Sequence, residues 1–131
     1  MISPEKAKAL KEVLPWEPKV GDWAYNSYGG LYLVHYVPNG AVKYNIFAPS
    51  LSQLLAAIEA EGYWWEVCHR LVDNAVKKYT VWLSKKYSNN KERIYVDDTP
   101  EDAASDALLW VMRKKASREP QITHQRDGDE R

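Results

Sequence analysis

The chain has one cysteine, Cys68, in 131 residues, so it can form no intramolecular disulfide and no multi-cysteine zinc site. It has no excess of either charge. Its 18 Lys and Arg balance 18 Asp and Glu, whereas a general nucleic-acid coat needs a basic face to displace counterions. No apolar run approaches the roughly 18 residues of a membrane span, and the first residues do not follow the signal-peptide order. A cytoplasmic protein without membrane contact is expected. No phosphate loop, dinucleotide fingerprint, HExxH pair or nucleophile elbow occurs. With no catalytic constellation, the chain reads as a non-catalytic protein with no cofactor and no metal.

What is present suffices for one core. Leu, Ile, Val and Phe make up 28 of 131 residues, just above the roughly 20% below which a highly charged chain stays disordered. A chain this short has room for a single domain. Nine Tyr and six Trp stand beside one Phe. Rings that carry a polar atom serve both cores and wet interfaces, and most are read here as core and semi-buried filler.

Residues 1–19 read as a short helix and an extended lead-in. Ser3 suits the N-cap and Pro4 the first helical position; Ala7, Leu10 and Leu14 recur at helical spacing, and Pro15 and Pro18 end the run. Residues 20–48 read as a β-hairpin segment. Its strands Val20–Asn26 and Leu31–Val37 flank Ser27-Tyr28-Gly29-Gly30, with Trp23, Tyr25, Tyr32, Val34 and Tyr36 on one face. Pro38-Asn39-Gly40 marks a turn, and a third strand through Val42–Phe47 is expected.

The second half carries clearer signals. Ser50 with Gln53 forms a capping box, Leu51, Leu54, Leu55 and Ile58 give an apolar face, and Gly62 stops the helix. Tyr63–Leu71 and Tyr79–Leu83 alternate as strands around Asp73-Asn74, Ser84–Arg93 reads as a polar loop, and Ile94–Val96 as a short strand. Thr99-Pro100 opens a last helix to about Lys115, with acids in its first turn, bases in its last, and Ala104, Ala107, Leu108 and Val111 as its packing face. Residues 117–131 lack periodicity and read as a disordered tail. The predicted class is α+β: an antiparallel sheet packed with helices in a helix-strand-strand-strand-helix unit, residues 49–116, preceded by the N-terminal helix and hairpin.

Pro49-Ser50-Leu51-Ser52, the Trp-rich strand Trp64-Trp65-Glu66-Val67, and Asp98-Thr99-Pro100-Glu101-Asp102-Ala103-Ala104 heading an Ala-rich helix resemble the phage α-β-α (ABA) sandwich domain. The resemblance covers residues 49–116 and rests on fold signatures. It implies a small bacteriophage or prophage protein in a bacterial host cell, with no established activity and no catalytic residues to carry over.

Candidate chemistry is thin. Adjacent Cys68 and His69 point to opposite faces of a strand, which argues against a nucleophile–base pair. Asp97, Asp98, Glu101 and Asp102 sit at a helix start, where capping explains them better than a hard cation does. The informative pattern is a surface. Matching apolar faces sets Trp64 opposite Trp82, Glu66 opposite Thr80 and Cys68 opposite Lys78, away from the core. Alongside, Arg70 through Arg93 holds seven Lys or Arg against Asp73 and Glu92. The expected binding surface is Trp64, Trp82, Arg70, Lys78, Tyr25, Tyr32 and Tyr36. An equal alternative is that the first hairpin or helix covers the two tryptophans.

The expectation is thus a phage or prophage accessory protein acting by protein–protein contact, with interference in a host process or defence system as its role. The partner is a host factor or a second copy, with a homodimer compatible with either. The runner-up is a small-ligand or nucleotide-binding module, stacking a base on Trp or Tyr and holding phosphate with Lys77, Lys78, Lys85 or Arg93.

Overall fold

The computed structural model describes residues 1–14, 16, 19–26, 28–35, 46–72, 76–87 and 91–124. The chain is α+β, and among the described residues it has three helices and two three-stranded antiparallel sheets. Helix α1 (Pro4–Val13) starts where Ser3 accepts from the Lys6 amide and Pro4 occupies the first turn. Leu14 is extended at φ −129°, as the residue before a proline must be. Pro15 and Pro18 themselves lie outside the described residues.

The first sheet comprises β1 (Trp23–Tyr25), β2 (Leu31–Leu33) and β3 (Ile46–Ala48), in the order β2-β1-β3. β1 starts later than expected because residues 19–22 form a turn, with the Asp22 amide donating to the Lys19 carbonyl at 2.9 Å and Gly21 at φ +95°, and Asn26 closes the turn at its other end. The Asn26 amide donates to the Gly30 carbonyl, its side-chain oxygen accepts from the Tyr28 and Gly30 amides, and Gly29 supplies the positive φ of 85°. Trp23 pairs with Leu33 and Ala24 with Tyr32. Directly opposed residues share a face, so Tyr32 stands with Ala24, and not with Trp23 and Tyr25 as the sequence reading had it. The third strand begins at Ile46; positions 36–45, with the expected turn at 38–40, lie outside the described residues.

Helix α2 (Leu51–Ala60) has both halves of its capping box, Ser50 with the Gln53 amide at 3.2 Å and Gln53 with the Ser50 amide at 2.8 Å. Gly62, at φ +93°, turns the chain into the second sheet. That sheet runs β4 (Tyr63–Val72), β5 (Val76–Lys85) and β6 (Lys91–Asp97), in sequence order. The stretch expected as a polar loop is shorter than read, because β5 extends to Lys85 and Lys91 already pairs with Ser84. A solvated edge strand needs no apolar alternation.

Helix α3 (Pro100–His124) opens on Thr99, whose hydroxyl accepts from the Asp102 amide. It continues past the expected end near Lys115, through Ser117 to His124. Ala116, Arg118 and Glu119 favour helix, but Pro120 lacks the amide that the helical ladder uses, so local propensity does not account for the full extension. Residues 125–131 lie outside the described set.

The helices separate the two sheets. Helix α1 packs on β3, α2 on β4, and α3 on β5, β6 and both other helices. Ala103, Ala104, Ser105, Ala107, Leu108 and Val111 of α3 are buried, as are Leu54 and Ile58 of α2, Ile2, and Val81 and Leu83 of β5. Lys6 ties α1 to this centre, 2.5 Å from Asp106 and 3.4 Å from Asp97. Burial disfavours its ammonium, but the hydrogen bond and charge of Asp106 and the charge of Asp97 outweigh this and hold its pKa above the ordinary 10.5.

Two outcomes follow for stability. Ala107→Leu, at a fully buried position on the most enclosed helix, is expected to cost about 1–3 kcal/mol by overpacking. Ala116→Leu, exposed on the same helix, should cost little in the same denaturant titration. Burial also raises the Tyr25, Tyr32 and Tyr95 phenols, so these and Lys6 retain protons in the folded chain that the unfolded chain releases. Their contribution is intact below about pH 10 and is lost as pH rises through the folded values, so the unfolding midpoint should fall at alkaline pH. A midpoint that stays flat from about pH 8 to about pH 11 would contradict it.

Candidate functional site

Strand parity divides the second sheet into two chemically different faces. Odd positions meet the helices: Tyr63, Val81 and Leu83 are buried, and Val67 and Tyr95 half-buried. Trp65 belongs to this side but lies at its margin, 37% exposed, with its indole donating to Glu59 at 2.8 Å. Even positions face away. There Trp64 is 46%, Ile94 39% and Val96 42% exposed, with Trp82 and Cys68 half-buried beside them and Thr80, in the central strand, buried at 1%. No described helix or strand packs across this face. Among the described residues, then, the first hairpin and helix do not cover the two tryptophans.

The tryptophans are diagonal neighbours and not an opposed pair. Trp64 pairs with Ser84 and Trp82 with Glu66, Thr80 with Cys68, and Arg70 with Lys78. The ladder is displaced by two residues from the expected one, which preserves which side chains share a face. Val72 and Val76, both β-branched, stay in the ladder, and His69 comes to stack on Tyr79 with centroids 4.2 Å apart and planes at 7°. The expected turn residues Asp73 and Asn74 lie outside the described residues. Trp64 is flanked by the exposed Tyr87 ring at 5.8 Å, set by a positive φ of 68°.

Other residues read as binding surface divide. Tyr25 is core: it is 7% exposed, and its hydroxyl donates to the Ile2 carbonyl at 2.6 Å. Tyr32 is half-buried in the first sheet, away from Trp64, and Tyr36 lies outside the described residues. Arg70 lies on the even face of β4 by register; Lys78 is bonded to Asp98, which raises its pKa. Cys68 and His69 point to opposite faces of β4. The acids at the start of α3 each have a partner: Asp97 with Lys6, Asp98 with Lys78, Glu101 with the Met1 ammonium at 3.4 Å, and Asp102 with the Ser3 amide at 2.8 Å. Among the described residues no group of three side chains is placed to hold a metal, and no helix is long and apolar enough to cross a membrane.

Sequence reasoning missed a second surface, on the odd side of β6. Between Leu83 and Ser84 the register shifts, so that Arg93 pairs with Leu83 and Lys91 with Ser84, leaving Glu92 as the extra residue of a β-bulge. Arg93 lies over the rings of Tyr95 and Trp110, 5.5 and 5.2 Å from their centroids, and Glu92 accepts from Lys114 at 3.5 Å. Lys114 is itself 4.7 Å from the Trp110 centroid, and Tyr63 meets Trp110 at 5.8 Å with planes at 73°. Burial pushes the Tyr95 phenol up, against the opposing pull of the Arg93 charge. Its hydroxyl is shielded from solvent and has no hydrogen-bond partner among the described residues, the guanidinium standing over the ring instead. In the sequence Arg93 stands only as one of four candidate phosphate contacts, and the basic last turn of α3 is explained by helix electrostatics alone.

Tyr25→Phe separates core from surface at that position. Losing the hydroxyl strands the buried Ile2 carbonyl and should cost about 1–3 kcal/mol in chemical denaturation, where a surface tyrosine would cost almost nothing. Compared with protein-family models, curated proteins and solved structures, this chain matches none.

Proposed function

We propose that the chain is a non-catalytic binding protein whose working surface is the even face of β4–β6, docking on an apolar patch of another protein. The observation that carries this reading is that Trp64, Ile94 and Val96 are exposed together on one face, beside half-buried Trp82, with no described helix or strand packed over them. Clustered exposed apolar groups of this kind mark contact surfaces, and tryptophan is among the residues that most often anchor them. The first sheet also exposes Trp23, Leu31 and Leu33, but its strands have three residues each, against ten, ten and seven here. On the resemblance of residues 49–116 to phage sandwich domains, the partner is a host protein and the role is interference with a host process or defence system. That step rests on the resemblance and not on the chemistry of the face.

The test compares wild type with Trp64→Ser/Val96→Ser. Both side chains are over two-fifths exposed, so the double variant should keep its stability within about 1 kcal/mol. Wild type should capture a discrete host protein, indifferent to nuclease, and the purified partner should slow amide exchange in β4, β5 and β6. The double variant should lose it. A partner retained by the double variant, or exchange protection confined to the first sheet, would overturn the reading. So would a double variant destabilised as much as Leu83→Ala, expected at about 2–5 kcal/mol, since the face would then be core.

A further inference from the structure

The groove between β6 and α3 is independent of the open face, because it lies on the other side of the same strand. It has a volume of about 540 Å³, within the range of roughly 300–1,000 Å³ typical of small-molecule sites. Arg93, Tyr95, Asp106, Trp110, Arg113 and Lys114 line it. Its charges do not balance. Asp106 is the one carboxylate in the lining, and Lys6 reaches it from α1 at 2.5 Å. Lys114 has Glu92 at 3.5 Å, a long contact. No ion pair among the described residues involves Arg93 or Arg113. Two guanidinium groups without carboxylate partners and a third cation thus share one concave site, in a chain whose formal net charge is zero.

The rings in the groove are already occupied. Arg93 and Lys114 both lie over Trp110, and Tyr63 meets its plane edge-on. Recognition here is ionic and does not need a stacked base. A groove of about 410 Å³ beside Trp16 and Phe47 is different in kind. Its Asp22 carboxylate already accepts from Gln53 at 3.1 Å and from the Lys19 amide at 2.8 Å, so its acid is satisfied from within the fold.

We propose that the β6–α3 groove binds a small organic anion bearing two or more negative charges, a phosphate ester or a polycarboxylate. Arg93 and Arg113 grip its oxygens as planar forks and Lys114 adds a third charge. This site does not depend on the docking face, and either can fail without the other.

The experiment is a heteronuclear NMR titration of the full chain with pyrophosphate and, separately, with citrate, at an ionic strength held constant with sodium chloride. The Trp110 indole and the Arg93 and Arg113 side-chain signals should shift and saturate. Arg113→Gln, an exposed change that breaks no ion pair among the described residues, should raise the dissociation constant about tenfold or more, and Arg93→Gln likewise. Lys85→Gln, outside the groove, should leave it unchanged. Tighter binding of pyrophosphate assigns a phosphate ester, and tighter binding of citrate a polycarboxylate. Shifts that never saturate, or that weaken equally in Lys85→Gln, would reduce the effect to general screening and overturn the proposal. Saturable binding untouched by both arginine variants would place the anion elsewhere and do the same.

Discussion

Helix α3 can lie against α1, α2 and the second sheet at once only because Ala103, Ala104 and Ala107 keep its surface narrow where the neighbours converge. Close-packed interiors leave no room for a longer side chain at such a crossing, and the arrangement around it is fixed accordingly. Leu108 and Val111 then reach into the space that Leu54, Ile58, Val81 and Leu83 share in the same core cluster. Lys6 and Ser3 hold α1 to the start of this helix through Asp106, Asp97 and Asp102, so the N-terminal helix is fastened to polar groups as well as to the core.

Placing the helices between the sheets decides what is left outside. The second sheet spends its odd face on the helices, and an antiparallel sheet tolerates a wetted opposite face. What distinguishes this one is composition. Its outward positions hold Trp64, Trp82, Ile94 and Val96 where stability alone would accept polar residues. The alternation is strict enough that moving the ladder by a single residue would bury Lys78 and expose Leu83. The aromatic face is therefore a choice of sequence at fixed architecture, not a by-product of pairing.

Features decided by a few adjacent residues could be read from the sequence, and those decided by distant contacts could not. The Ser3-Pro4 start, the Ser50–Gln53 box, the Gly62 stop and the Thr99 cap are all local, and each takes the form its side chains dictate. The faces of β4 and β5 followed from parity, but not the register, in which Val72 pairs with Val76. Tyr25 looked like its neighbour Trp23, and nothing nearby reveals that its hydroxyl reaches Ile2 at the other end of the first segment. Of the expected binding surface, Trp64, Trp82 and Lys78 share the even face, Arg70 joins it by register, and Tyr25 belongs to the core.

The groove behind β6 shows the same limit at a functional surface. Without the bulge, simple alternation would turn Glu92 to the opposite face from Arg93; with it, both reach the α3 side, one to Lys114 and the other over Trp110. A single extra residue in an edge strand thus brings a basic loop segment and a basic helix end together, although each alone reads as solvated charge. The sign of the groove is then set from outside it. Asp106 lines the groove from α3, and Lys6 of α1 holds its carboxylate. The N-terminal helix accordingly does more than complete the core. By engaging the one acid of the groove, it leaves the arginines with charge to offer.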